Sequence, residues 1–425
     1  MKNYNKTTLK SGLRVVTIPM KNANSVTVLI LVGTGSKYEK KEVNGISHFL
    51  EHMFFKGTKK RPTTLKISET LDMIGGQYNA FTSKEVTGFW AKVDKRHTDI
   101  ALDWICDMFL NSKFEQQEIE REKGVVIEEL NMYLDTPTAY VSELFEDLLY
   151  KDQPAGWRIV GEKENILNFS REKMLDYYTS HYATENTVVC IAGDVNTKQI
   201  EEKIKKYFGK LKKSEPLPKL ATLETQTEPE VLIHQKKTDQ THFCLGVRAY
   251  DMFHPSKYAL SLMAVILGGN MSSRLFISVR ERNGLAYYIH TSVDALTDTG
   301  YLVTQAGIKN NSLEKAVGLV LQEYKDLKNN KVGAKELKKA KDYLRGTMFL
   351  SLDATDNQAS FYAGQEVMGE KMLTPEEKLK MIDKVSVNDI KKVAEDIFTN
   401  EKLNLAVIGP FEQKEKEKLQ KLLTL

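Results

Sequence analysis

Hydrophobic and polar positions along this chain switch between two periods, and they do so in the same order twice. Alternating or solidly apolar runs predict strands, and apolar residues three and four apart predict helices. In the first half a strand is expected over Ser25–Val32, then a polar turn and a helix around His48. Gly76–Thr82 and Thr87–Val93 predict two further strands, Thr98–Leu110 a helix and Asn186–Gly193 a closing buried strand. The second half repeats the series. Its strands are expected at His242–Arg248, Gly284–His290, Gly300–Ala306 and Lys402–Gly409, and its helices near Tyr258–Leu267 and Leu313–Leu327. A long charged helix pair precedes the closing strand in each half.

Such a repeat means that one folding unit has been used twice. Strands mixed with long helices, many of the strands alternating, predict an α+β fold. It has two homologous α/β domains, each a mostly antiparallel sheet with helices packed on one side. Pro216, Pro218 and Pro229 lie among charges and threonines and mark a linker. The expected division is an N-terminal domain over 1–214, a linker over 215–230 and a C-terminal domain over 231–425. A chain of 425 residues is long enough for two cores.

One segment breaks the equality of the halves. His48-Phe49-Leu50-Glu51-His52 sets two imidazoles four residues apart with a carboxylate between them. On a helix His48, Glu51 and His52 share one face. The two histidines can hold a divalent ion, with the glutamate beside the water that such an ion activates. This is the H-x-x-E-H order of inverted zincins. Ile46, Phe49, Leu50, Met53 and Phe54 supply the apolar side, Asn44 is a candidate cap, and Gly57 follows where a helix would end. The matching positions of the second half, near Leu260 to Ala264, are apolar or small, so one metal site per chain is expected.

A catalytic zinc wants a third protein ligand. The remaining histidines show no useful spacing, which turns attention to the helix expected over Glu115–Asp135, with Glu118, Glu120, Glu122, Glu128 and Glu129. The apolar run Val125–Ile127 predicts burial of its second part, where a glutamate pair is costly without a cation. Glu122 and Glu129 lie two turns apart on one stripe, whereas Glu128 shares its stripe with Arg121. Glu129 is thus the preferred ligand and Glu122 a neighbouring carboxylate that orients a histidine. On these residues alone Glu128 stays open as the alternative.

Composition narrows the function classes. The 61 Lys and Arg against 57 Asp and Glu leave a net charge of +4, with no basic stripe interleaved with aromatics, so no nucleic-acid partner is expected. Cys106, Cys190 and Cys244 are isolated, which fits a reducing compartment and argues against a disulfide framework and a thiolate metal site. Met1–Ser11 lacks the apolar run of a secretory leader, and no run is long enough to span a bilayer. A cytoplasmic protein without membrane contact is expected.

The segment His48–Thr58 and the downstream Glu122–Leu130 together resemble the pitrilysin (insulinase-like) zinc metallopeptidases, in particular the processing-peptidase branch. The resemblance spans both halves. It implies Zn²⁺ held by His48, His52 and Glu129, with Glu51 as the catalytic base and Glu122 as an auxiliary catalytic glutamate. It also implies that Asn79, Ala80 and Phe81, with Thr82, form an edge strand that pairs with an extended peptide, a mode open to any unpaired strand. Gly268–Phe276 and Arg280–Tyr287 resemble the second-half signature, in which Arg280 and Tyr287 bind substrate and stabilise the oxyanion.

The resulting expectation is a zinc-dependent endopeptidase that hydrolyses extended peptides or unstructured protein segments inside a clamshell chamber. Relatives of this size work in pairs, so a homodimer is expected, or a heterodimer with a pitrilysin-like sister subunit. The competing expectation is a non-catalytic scaffold or a peptide-capturing subunit of the same fold.

Overall fold

A computed structural model describes residues 4–425. Among the described residues eleven strands form two sheets. The first contains β1 (Asn5–Thr8), β2 (Arg14–Pro19), β3 (Ser25–Val32), β4 (Gln77–Thr82), β5 (Thr87–Asp94) and β6 (Thr187–Gly193), in the order β1-β2-β6-β3-β5-β4. The second contains β7 (Glu230–Gln235), β8 (Gln240–Arg248), β9 (Ala286–Ala295), β10 (Gly300–Lys309) and β11 (Leu403–Gly409), in the order β7-β11-β8-β10-β9. Apart from the additional β1 the two orders are the same. In each sheet one pair is parallel (β2 with β6, β7 with β11) and the other pairs are antiparallel. β4 and β9 are the corresponding edges.

The helices that matter for the site and the cores are α1 (Ile46–Met53), α2 (Thr98–Asn111), α3 (Gln116–Asp135), α4 (Pro137–Tyr150), α5 (Arg171–His181), α6 (Lys257–Gly268), α7 (Leu313–Asn329) and α8 (Thr355–Val367). The linker over 209–229 has almost no regular structure. Among the described residues no helix is long and apolar enough to cross a membrane.

The packed units are not the two sequence halves. One unit runs up to Leu130 and adds Trp157–Leu220 and Met348–Pro375; the other takes Asn131–Gly156, Ala221–Thr347 and Glu376–Leu425. The expected halves, 1–214 and 231–425, differ from these units chiefly at α4 and α8, each of which packs in the unit of the other half. In the first unit, Val16, Ile18, Leu29, Leu31, Val188 and Cys190 on one sheet face pack against Ala359, Tyr362, Ala363 and Val367 of α8. In the second, Cys244, Tyr301, Ala406 and Ile408 pack against Tyr140, Val141, Leu144, Phe145 and Leu149 of α4. Each sheet is thus covered on a second face by a helix encoded in the other half. Burying such a helix face removes several large apolar side chains from water, each contributing about 1.5–3 kcal/mol.

Candidate metal centre

α1 follows from its sequence. Ile46, Phe49, Leu50 and Met53 fall at i, i+3, i+4 and i+7 and are wholly buried. That leaves His48, Glu51 and His52 on a neighbouring stripe, with His48 largely buried and the other two half-buried. The chain after the helix is anchored by Phe54, which sits in an aromatic cluster with Phe89, Phe114, Tyr178 and Tyr182 at centroid distances of 4.6–5.8 Å. Asn44 does not cap α1. The cap position is Gly45, whose φ of 99° places it in the left-handed region, and the Asn44 amide turns to Glu39 and the Arg158 carbonyl instead.

α3 brings in the carboxylates. Val126 and Leu130 are buried, and this sets the rotation of the helix. The same rotation puts Glu122 inside, Glu129 half-buried beside α1, and Glu128 out in solvent. Glu128 is not among the residues whose donor atoms converge. The expected burial of Val125–Ile127 holds for Val126 alone, since Val125 is 52% exposed.

His48, His52 and Glu129 each offer one donor atom, all within 4.8 Å of one another. His48 Nε2 lies 3.6 Å from Glu129 Oε1, and His52 Nε2 lies 3.3 Å from Glu129 Oε2. The first distance is too long for a hydrogen bond. Both are close to the separation of two ligands around a tetrahedral zinc, about 3.3 Å for bonds of about 2.0–2.1 Å. Two imidazoles and a carboxylate are also the donor set of a catalytic zinc site that keeps one position open. The residues fit the ion.

Around this trio the charges are arranged in layers. His52 Nδ1 donates to Glu122 Oε1 at 2.8 Å, and the Lys56 ammonium holds Glu122 Oε2 at 2.5 Å. A carboxylate can only accept here, which fixes the proton on Nδ1 and leaves Nε2 facing Glu129. Burial would lower the His52 pKa, but Glu122 and Glu129 overcome it and lift the metal-free imidazole to about 9. The imidazoles of His48 and His52 hold Glu129 far below the ordinary carboxylate range. Burial acts to raise Glu122, yet His52 and Lys56 bring it below its ordinary value.

Glu51 takes no part in the trio. Its Oε2 accepts from Thr82 Oγ1 at 2.6 Å, and burial raises its pKa against that hydrogen bond and the two nearby imidazoles. Thr82 ends β4, an edge strand of the first sheet. Of the expected peptide-binding residues on β4, Asn79 and Phe81 are exposed and Ala80 is buried. The Asn79 side-chain oxygen accepts from the Ala80 N–H. Arg280 and Tyr287 belong to the second unit, where they meet each other. The Arg280 guanidinium lies 5.4 Å from the Tyr287 ring and 4.7 Å from that of Phe276, and Tyr287 is 76% exposed. Lys56 and the role of Thr82 were missed in the sequence reading, since neither residue type signals the contact it makes.

In α6, residues 262–268 are all buried, as are Ala259 and Leu260, so the repeat position of the second unit is plain core. Residues 14–163 match the family described as "Insulinase (Peptidase family M16)", and residues 168–344 match "Peptidase M16 inactive domain". The second description suits a half without ligands. Over 95% of its length the chain is 36% identical to the uncharacterized zinc protease YmxG of Bacillus subtilis, covering 97% of that protein. It is 32% identical to an uncharacterized zinc protease of Mycobacterium leprae, over 96% of this chain and 92% of that one. The fold is that of a Helicobacter pylori protease crystal structure, with a TM-score of 0.89 and 24% identity, covering 96% and 99% of the two chains. The chain therefore belongs to the insulinase family of peptidases, family M16.

Proposed function

We propose that this protein is a zinc-dependent endopeptidase acting on extended peptides or unstructured protein segments. One observation carries the reading. His48, His52 and Glu129 converge at ligand spacing, and a non-ligating glutamate beside them is hydrogen-bonded to a sheet-edge strand.

His48, His52 and Glu129 would hold the ion. Zinc, when bound, acidifies water and polarises a carbonyl. Glu51, with a raised pKa, takes the proton from the attacking water and delivers it to the leaving amine as the C–N bond breaks. Thr82 fixes the Glu51 carboxylate and ties it to the strand that binds substrate. β4 accepts an extended peptide by strand addition, which selects for unfolded backbone over side-chain identity. Glu122 orients His52 and keeps it a strong donor. Arg280 and Tyr287 hold the substrate and the developing oxyanion, on the strength of the family resemblance.

The chain carries both the metal residues and the Arg280–Tyr287 pair, which supports a homodimer as the working species. The three cysteines are buried and free, which supports a cytoplasmic location. The deciding experiment is metal analysis of the purified protein together with mass-spectrometric mapping of cuts in a peptide library, with and without a chelator. Chelator-sensitive cuts in unstructured peptides are expected. A zinc-loaded protein that cuts nothing overturns the proposal.

A further inference from the structure

α1 begins without a cap of its own. Gly45 has no side chain, and one cannot be added: a Cβ there would sit 2.4 Å from the Val160 carbonyl oxygen. The first N–H groups of the helix are buried and need acceptors. Glu39, six residues upstream of Gly45 and itself buried, provides them. Its Oε2 accepts from the Gly45 N–H at 2.7 Å and from Asn44 Nδ2 at 2.9 Å, and its Oε1 accepts from the Ser47 N–H at 2.8 Å. The carboxylate also places negative charge at the positive end of the helix.

This is an expensive way to cap a helix. Burial pushes the Glu39 carboxyl up to about 7 against all of these donors. The return is position. Ser47 precedes His48 directly, and its hydroxyl is held by the Tyr177 hydroxyl at 2.8 Å. Glu39 and Tyr177 together clamp the start of α1 as Phe54 clamps the chain just after it. Between these anchors lie the three residues whose spacing makes the site.

We infer that Glu39 is a positioning residue for the metal centre, holding the axial placement of His48, Glu51 and His52 through the first N–H groups of their helix. The inference rests on the proposed metal site but not on peptide cleavage. It is tested with Glu39→Gln in the full chain, where an amide N–H₂ replaces one acceptor and faces a backbone donor. Cobalt(II) is the probe, since its visible absorption reports ligand geometry, alongside zinc affinity by chelator competition and kcat and KM on an unstructured peptide.

Expected for Glu39→Gln are altered cobalt bands, a metal affinity about tenfold or more below wild type, and a fall in kcat larger than any change in KM. Val317→Ala, a core truncation in the second unit, serves as a stability-matched control and is expected to leave the bands and the affinity unchanged. If Glu39→Gln does not fold, Asn44→Ala decides, with a smaller affinity loss in the same direction. Wild-type bands and affinity in the deciding variant overturn the inference, and so does an equal affinity loss in Val317→Ala. Should the wild type bind cobalt yet cut no peptide, the peptidase reading fails while altered bands in Glu39→Gln still sustain this one.

Discussion

Replacing Glu122 by Gln should weaken zinc binding by an amount that depends on pH. In the metal-free protein Glu122 and Glu129 lift His52 to about 9, against about 6.5 for a free imidazole. At pH 7 about one His52 in a hundred is then neutral. Zinc must displace that proton, which costs about 2.7 kcal/mol of affinity. Glu122 therefore works in both directions: it strengthens His52 as a ligand, and it strengthens the proton that competes. Losing an orienting carboxylate of this kind lowers metal affinity about 10–100-fold. If half of the rise in the His52 pKa belongs to Glu122, the variant recovers about tenfold at pH 7 through weaker proton competition. At pH 9 it recovers little, and the loss appears almost undiminished. Chelator competition at the two pH values measures the difference. Calorimetry in two buffers of different ionisation enthalpy counts the protons, with about half a proton released from His52 in the wild type at pH 9 and almost none in the variant. An equal affinity loss at both pH values, with unchanged proton release, refutes this account of the layer around His52.

Glu51→Gln should lower kcat about 10²–10⁴-fold while zinc affinity stays within a few-fold of wild type, and wild-type turnover in this variant excludes Glu51 as the base. Stripping zinc should lower the melting temperature, because an ion at a thousand times its Kd stabilises the fold by about 4 kcal/mol; a melting curve indifferent to chelator contradicts the assigned ligands. Phe54→Ala removes the hub of the aromatic cluster and should cost about 3–5 kcal/mol in urea unfolding; a loss under about 1 kcal/mol shows that the cluster does not anchor α1. The metal-free protein carries its own pH dependence. A folded-state His52 pKa raised to about 9 contributes stability that is full below about 6.5 and disappears as pH rises through 9, so a flat profile across that window in the apo protein argues against the Glu122 and Glu129 contacts.

Local features were the ones legible in the sequence. The strand expected over Ser25–Val32 has those bounds, and the helix carrying the two histidines turns its apolar residues inward as its spacing requires. Such elements are decided by neighbours within a few residues. The choice between Glu128 and Glu129 was harder because it depends on the rotation of α3, and the run Val125–Ile127 looks equally apolar from every side. The burial of Val126 and Leu130 is what turns Glu129 toward α1 and leaves Glu128 in solvent. Glu39 and Lys56 lie at the far end of this scale. Lys37-Tyr38-Glu39-Lys40-Lys41 reads as a solvated turn, yet Glu39 and Lys37 are both buried, the latter against Glu85. Long-range partners of single charges leave no period to detect.

The exchange of α4 and α8 escaped for a related reason, and it bears on why only the first half presents a candidate metal site. Tyr140, Val141, Leu144 and Phe145 announce an apolar helix face, but hydrophobic burial is non-directional and an apolar face does not say which sheet it covers. α3, with 20 residues and so about 30 Å long, carries the chain out of the first unit at Leu130 before α4 begins. The glutamates it contributes to the site all precede that point. In the second unit the helix at the repeat position, α6, has buried residues on every side, including Leu260, Met263 and Ala264. Histidines and a glutamate in such surroundings would bury polar groups without an open side for water or substrate, at a cost of several kcal/mol. α1 escapes that cost because one stripe of it faces Glu129 and the end of an edge strand rather than core. The inequality of the two halves thus follows from what each helix packs against: the half without candidate ligands is the one whose helix is almost wholly interior.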